Sequence, residues 1–246
     1  MPQRPKSDRY LDEVVALRVV REQFPDLPGE VTLLGSGWST DVYGIGERYT
    51  VRFPRNSDAA QYLDHDSAVL ELVAARLGGF IAIPRVVHRG RASAHFPHDF
   101  LVCELVPGIS ADDPKAPIRD ELTSDLGRAL THIHSVPVAT ARRAGLREPD
   151  WDDYRGTPFF LHLDFRGNNI LVNPETGRLS GVIDWGNAAV GDPALDFMWL
   201  VVWRGWEFAQ AVLRSYALPV DDGFVQRVKH KAEIQLTELA MAAESR

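Results

Sequence analysis

The side chains best suited to chemistry lie between His162 and Gly186, in HLDFRGNNILVNPETGRLSGVIDWG. Asp164 follows His162 by two residues, Asn169 follows Asp164 by five, and Asp184 precedes Trp185-Gly186. Asn169–Val172 and Gly181–Asp184 read as two short apolar strands, with Pro174-Glu175-Thr176-Gly177 as the turn between them. Antiparallel pairing about that turn sets Asn169 beside Asp184. Two such oxygen donors suit a hard cation such as Mg²⁺, whose remaining sites go to water and phosphate oxygens. Asp164, on the loop just upstream, would orient an attacking hydroxyl and accept its proton. Arg166, between the base and the metal ligands, would neutralise charge developing on a transferred phosphoryl group. The chemistry this set supports is phosphoryl transfer, with His162 as a hydrogen-bonding support and not a reactant.

The elements that must position these residues fall into two groups. Residues 8–24 read as a helix with Asp8 as its N-cap and Pro25 and Pro28 beyond its end. Three short strands follow, 31–34, 41–45 and 49–53, with Gly35-Ser36-Gly37 after the first and Gly46-Glu47 after the second. Residues 58–77 carry Leu63, Val69, Leu70, Leu72, Val73 and Leu77 at helical spacing. Segments 83–88 and 100–105 read as further strands. Beyond Val106-Pro107-Gly108 helices dominate, at 119–135, 195–215 and 223–243. A β-rich stretch followed by an α-rich one predicts a bilobal α+β fold, with lobes at 1–106 and 107–246.

Composition narrows the function classes. The 246 residues are 45% hydrophobic and 25% charged, ordinary values for a water-exposed globular fold. Thirty-four acidic residues against 27 basic ones give a net charge of −7, which argues against nucleic acid as a partner and suits a cationic ligand. No apolar run approaches the roughly 20 residues needed to span a bilayer, and the N-terminus lacks the apolar core of a secretory signal. A single cysteine, Cys103, excludes an internal disulfide. The expected location is the cytoplasm, with no membrane partner.

The His-x-Asp-x-x-x-x-Asn and Ile-Asp-Trp-Gly segments resemble the signature of the aminoglycoside phosphotransferase and antibiotic kinase family, which has a protein-kinase-like fold. Gly191-Asp192-Pro193-Ala194-Leu195-Asp196-Phe197 is similar to the segment that follows the family's metal-binding Asp, and implies structural roles for Asp192 and Asp196. The layout is most similar to aminoglycoside 2''-phosphotransferases and macrolide kinases. The resemblance implies ATP or GTP as phosphoryl donor, with Mg²⁺. It implies a phosphate-facing turn at Gly35, Ser36, Gly37, Ser39 and Thr40, and a phosphate-binding cation at Arg52, in place of the usual Lys. Of two helix carboxylates that could pair with that cation, Asp66 and Glu71, Asp66 fits the pattern better. Glu104-Leu105-Val106 would offer main-chain groups to the base, chiefly at Glu104 and Val106.

The acceptor side carries less signal. Ile133-His134 and His162 are only 28 residues apart, whereas relatives carry a long helical insertion there. Asp150, Trp151, Asp152, Asp153, Trp203, Trp206, Glu207, Asp221 and Asp222 are the acidic and aromatic candidates for an acceptor pocket. The acceptor implied is a small hydroxylated cation, first of all an aminoglycoside. A macrolide, choline, homoserine or sugar-amine acceptor keeps the same chemistry. A nucleotide-binding module without catalysis is the reading from another class.

Overall fold

The computed structural model describes residues 7–8, 11–148 and 154–244. The chain divides into two compact units. One runs up to Glu71 and takes in Pro84–Leu105; the other joins Leu72–Ile83 to everything from Val106 onward.

The first unit is built on a five-stranded antiparallel sheet. Its elements are α1 (Glu13–Gln23), β1 (Val31–Ser36), β2 (Thr40–Ile45), β3 (Tyr49–Pro54), α2 (Ser57–Ala60), the start of α3 (Leu63–Leu77), β4 (Val86–Gly90) and β5 (Phe100–Glu104). The strand order is β1-β2-β3-β5-β4. Alternation along β3 sends Val51 and Phe53 into the core, where they meet Tyr43, Ile45, Phe96, Phe100 and Val102. Helix α1 closes that core with Ala16, Val19 and Val20.

Two helix boundaries differ from expectation. The N-cap of α1 is Asp12, which accepts the Val15 N–H at 2.8 Å. Asp8 serves a different element: its carboxylate accepts the N–H of Ser57, at the start of α2, and pairs with His98. The expected helix at 58–77 is two helices, because the chain tightens at Gln61-Tyr62, where the Tyr62 N–H reaches back only to Ala59. That turn leaves Tyr62 in solvent and buries Leu63. The strand expected at 83–88 starts later, at Val86, after Pro84.

The second unit adds β6 (Ile109–Ser110), α4 (Asp120–His134), α5 (Val138–Arg143), β7 (Phe159–Leu161), β8 (Ile170–Val172), β9 (Leu179–Val182), β10 (Ala189–Gly191), α6 (Ala194–Leu213) and α7 (Phe224–Glu244). Strands β6, β8 and β9 form one small sheet and β7 with β10 another. In the hairpin Ile170 faces Val182. The turn forms where the sequence predicts it, closed by the Asn173 side chain, which accepts the N–H groups of Glu175 and Thr176. Residues 72–83, expected with the β-rich lobe, belong to this unit. Ala82 bridges to Gly181, the Val182 N–H donates to Ala82 O at 3.0 Å, and Phe80 stacks on His132 of α4.

Asp125 ties α4 to β9. Its carboxylate accepts a two-pronged contact from Arg178 at 2.6 and 2.7 Å, the Leu179 N–H, and Arg128. Burial pushes its pKa up, but the Arg178 hydrogen bonds, the Leu179 N–H and the arginine charges outweigh it, so the carboxyl sits below its ordinary value. Both arginines are half exposed, so Asp125→Asn should cost about 1–2 kcal/mol in urea unfolding. A cost near zero would show the contact to be a surface pair only.

Candidate active site

The loop after β7 holds the centre of the site. The His162 N–H donates to Asp196 Oδ2 at 2.9 Å and the Leu163 N–H to Asp196 Oδ1 at 2.7 Å. Asp196, in the first turn of α6, is fully buried and also faces His134 Nε2 at 3.1 Å. Burial raises its pKa, but the hydrogen bond and charge of His134 and the N–H of His162 hold it below the ordinary range. Two N–H groups aimed at one carboxylate turn the chain sharply, and Leu163 adopts a left-handed φ of 65°. The indole N–H of Trp199 donates to Leu163 O at 2.6 Å and holds the other side of that residue.

His162 is committed on both ring nitrogens. Nδ1 accepts the Asp164 N–H and Nε2 lies 3.0 Å from Ile183 O, so the proton sits on Nε2 of a neutral ring. The ring bridges the loop to the end of β9 and carries no reactive atom.

Asp164 is almost wholly buried. Its Oδ2 accepts Asn169 Nδ2 at 2.7 Å, and the same amide donates to the Asp164 carbonyl at 2.9 Å. This fixes the Asn169 amide with Oδ1 turned away from Asp164. The Ile183 N–H donates to Asn169 O at 3.0 Å, which places Asp184 one residue beyond. Asp184 has a left-handed φ of 64°. The hairpin therefore brings together the two residues named for metal binding. An Asn carbonyl and an Asp carboxylate are oxygen donors of the kind that could hold Mg²⁺ together with phosphate oxygens. Among the described residues no cluster of three or more His, Cys, Asp or Glu forms a self-sufficient metal cage.

Arg166 lies beside Asp164. Its Nε is 2.6 Å from Asp164 Oδ1, yet neither atom completes a hydrogen bond, and both are buried. The guanidinium stacks on Trp199, 4.6 Å from the ring centroid. The next residue, Gly167, opens a turn to Asn169, and a Cβ there would overlap the Asp112 carboxylate and the Trp203 indole nitrogen.

In the first unit the named residues fall on the β1–β2 turn, β3 and β5. Gly35 and Ser36 end β1, and the Gly37 N–H closes the turn on Thr40 O at 2.8 Å. The Ser36 hydroxyl is held by Asp41 and Arg55, and Ser39 and Thr40 have their hydroxyls 3.4 Å apart. Arg52, half-buried on β3, lies opposite Val42 and Leu101. Burial pushes the Cys103 thiol up to about 11, with the Arg52 charge acting the other way. Asp66 is half-buried in the first turn of α3, whereas Glu71 is exposed and accepts from Ser67. The N–H of Glu104 donates to Arg85 O and that of Leu105 to Arg48 O. Val106 is buried and begins the second unit's share of the chain beyond β5.

The profile of the phosphotransferase enzyme family matches residues 30–158 and 151–225. The chain belongs to that family. It is a phosphotransferase of the kinase type, with a protein-kinase-like α+β fold. A curated aminoglycoside 3'-phosphotransferase from Streptomyces ribosidificus is 30% identical over 67% of this chain and 76% of its own length. Viomycin phosphotransferase from Streptomyces vinaceus is 24% identical over 75% of this chain and 77% of its own. Among solved structures, the GDP and kanamycin complex of an aminoglycoside 2''-phosphotransferase superposes with a TM-score of 0.77 at 22% identity, covering 94% of this chain and 92% of that one. A macrolide 2'-phosphotransferase type I superposes with a TM-score of 0.70 at 18% identity, covering 95% and 90%.

The phosphotransferase's acceptor candidates separate by what they touch. Asp150, Trp151, Asp152 and Asp153 lie outside the described residues. Trp203 donates to Asp112 at 2.6 Å, Trp206 lies under Lys229, and Asp221 is paired with Arg227. Glu207 and Asp222 are exposed. Arg227 also grips the buried Asp192, which anchors α7 to the start of α6. Asp112, Trp199 and Arg227 escape a sequence reading. For Trp199 a signal exists: Asp196, Trp199 and Trp203 recur at helical spacing on one stripe of α6.

A depressed carboxyl contributes stability that is present above its unfolded value and lost as pH falls through its folded value. The stability difference between the wild type and Asp196→Asn should therefore be constant above about pH 5 and shrink below about pH 4. Urea unfolding at several pH values reads this directly. A difference that grows on acidification would contradict the role assigned to Asp196.

Proposed function

We propose that this phosphotransferase moves the γ-phosphate of ATP or GTP, with Mg²⁺, to a hydroxyl of an aminoglycoside. The observation that carries the reading is the pair Asp164 Oδ1 and Arg166 Nε, a buried contact of opposite charges 2.6 Å apart whose geometry completes no hydrogen bond. Each atom keeps hydrogen-bonding capacity that a third group could use. An incoming hydroxyl suits the first and a phosphoryl oxygen the second.

In this mechanism Asp164 orients the acceptor hydroxyl and takes its proton as the hydroxyl oxygen bonds to the γ-phosphorus and the bond from that phosphorus to the β–γ bridging oxygen breaks, releasing ADP or GDP. Asn169 keeps the carboxylate in place through Oδ2, which leaves Oδ1 for the substrate. Arg166 swings from Asp164 towards the phosphoryl oxygens, so the base loses its cation as it acquires its substrate. Asn169 Oδ1 and the Asp184 carboxylate would hold Mg²⁺, which supplies charge neutralisation at the phosphates. Arg52, with Asp66, and the turn carrying Gly35, Ser36, Gly37, Ser39 and Thr40 would contact the phosphates. Glu104 and Val106 would meet the base. With Ser36 held by Asp41 and Arg55, the turn's contribution comes from its main chain.

The aminoglycoside reading is supported by the relative of 30% identity and by the kanamycin bound in the structural neighbour. A net charge of −7 fits a polycationic acceptor. A nucleotide-consuming enzyme whose one thiol is buried fits the cytoplasm, and no helix among the described residues is long and apolar enough to cross a membrane.

The test is a coupled ADP and GDP assay with purified protein, Mg²⁺ and a panel of kanamycin, gentamicin, viomycin, a macrolide and choline. Kanamycin or gentamicin should be phosphorylated. Turnover of the macrolide or choline alone would move the acceptor class. Asp164→Asn should lower kcat by about 10²–10⁴-fold, the span typical of general-base loss, with ATP binding unchanged. Full activity in that variant would remove Asp164 from the mechanism. Asn169→Ala and Asp184→Ala should each raise the Mg²⁺ concentration required for half-maximal rate by about tenfold or more.

A further inference from the structure

Three side chains of α6 reach the catalytic loop from one stripe of the helix. Asp196 holds the N–H groups of His162 and Leu163, and Trp203 holds Asp112 over Gly167. Trp199, between them, makes two contacts that no other residue combines. Its N–H holds Leu163 O, one residue before the base, and its ring face carries the guanidinium of Arg166, two residues after it.

Each contact restrains something that would otherwise relax. Leu163 bears a side chain at φ 65°, a conformation that persists only where surrounding bonds over-determine it. Arg166 is a long side chain next to a carboxylate. Unrestrained, it would rotate until its N–H groups met Asp164 end-on, the geometry of a strong ion pair. That pair would occupy the base. Stacking on Trp199 keeps the guanidinium flat at a place where Nε is 2.6 Å from Oδ1 without a hydrogen bond. Cation–π attraction is indifferent to rotation in the ring plane, so the guanidinium can turn from carboxylate to phosphoryl group while remaining on the indole.

We propose that Trp199 is a positioning residue for phosphoryl transfer, acting as the platform that holds Arg166 beside Asp164, short of a completed hydrogen bond, and ready for the phosphoryl oxygens. This rests on the reading of Asp164 as base and Arg166 as phosphoryl contact.

The experiment is a double-mutant cycle of Trp199→Leu and Arg166→Gln, with Trp199→Phe as a third variant. ATP turnover with Mg²⁺ is measured with kanamycin and with water alone as acceptor. Melting temperatures verify folding, and Trp199→Phe, which keeps a ring beneath Arg166, serves if Trp199→Leu does not fold. Trp199→Leu should lower kcat about tenfold with KM for ATP within about twofold, and Trp199→Phe about threefold, from the lost N–H alone. In the Arg166→Gln background the added effect of Trp199→Leu should fall to about threefold, the cost of the lost N–H alone, because the partner of the ring is gone. Losses that multiply in the double variant would overturn the proposal and leave Trp199 a packing residue. So would a Trp199→Leu enzyme with unchanged kcat while Arg166→Gln is impaired. If Arg166→Gln itself keeps full kcat, the underlying role of Arg166 fails, and the platform with it.

Discussion

A single buried carboxylate holds the loop after β7 in place. Asp196 takes the N–H groups of two consecutive residues, His162 and Leu163, and faces the imidazole of His134. Removing an ion from water costs several kcal/mol even after relaxation, so a buried carboxylate is tolerable only when its oxygens are saturated. Here both are. The saturation has a geometric consequence: consecutive N–H groups of an extended chain point to opposite sides. To aim two at one carboxylate, the chain must turn at His162, between the two N–H groups, and Leu163, with a left-handed φ of 65°, then redirects the chain that follows. Asp164 follows that turn, so its position is inherited from α6.

The rest of the site is a chain of commitments from that point. His162 spends one ring nitrogen on the Asp164 N–H and the other on Ile183 O, and so joins the loop to β9. The Asn169 amide spends both N–H directions on Asp164. The hairpin register then brings Asp184 to Asn169. Asp164 Oδ1 and Arg166 Nε are among the buried side-chain atoms that complete no hydrogen bond within the described residues, and they face each other as an ion pair at 2.6 Å. A protein avoids such atoms in its core unless a ligand satisfies them.

Helix α6 also shows how one element serves both stability and chemistry. Its first turn is fixed by Asp196 and, through Asp192, by Arg227 of α7. Its next turns put Trp199 and Trp203 under the loop. At Gly205 the helix breaks, with φ 82°, which only glycine adopts at little cost. The break ends the segment that touches the loop, and the remaining turns pack towards Gly127 of α4, where a Cβ would overlap Val212 O.

The sequence by itself determined the chemistry and the order of the elements. The spacing of Asp164, Asn169 and Asp184 about a turn-forming segment specifies a hairpin that unites the last two, because pairing in a hairpin is local and its turn residues are legible. The same locality exposed the sheet of the first unit and the three long helices of the second, through period-two and helical patterning. It misplaced the N-cap of α1, since Asp8 and Asp12 are both capable caps and only the contact of Asp8 with Ser57 and His98 separates them. It assigned 72–83 to the β-rich half, because the bridge from Ala82 to Gly181 spans far more chain than any local pattern covers. Tertiary structure alone decided which polar groups are spent and which are left over. Trp203, Trp206 and Asp221 look like acceptor contacts as residue types, but Asp112, Lys229 and Arg227 already occupy them. Trp199 looks like core, yet holds the loop and its arginine. The reason is physical: a side chain's type states what it could bond to, whereas what it does bond to depends on neighbours tens of residues away, brought there only by folding.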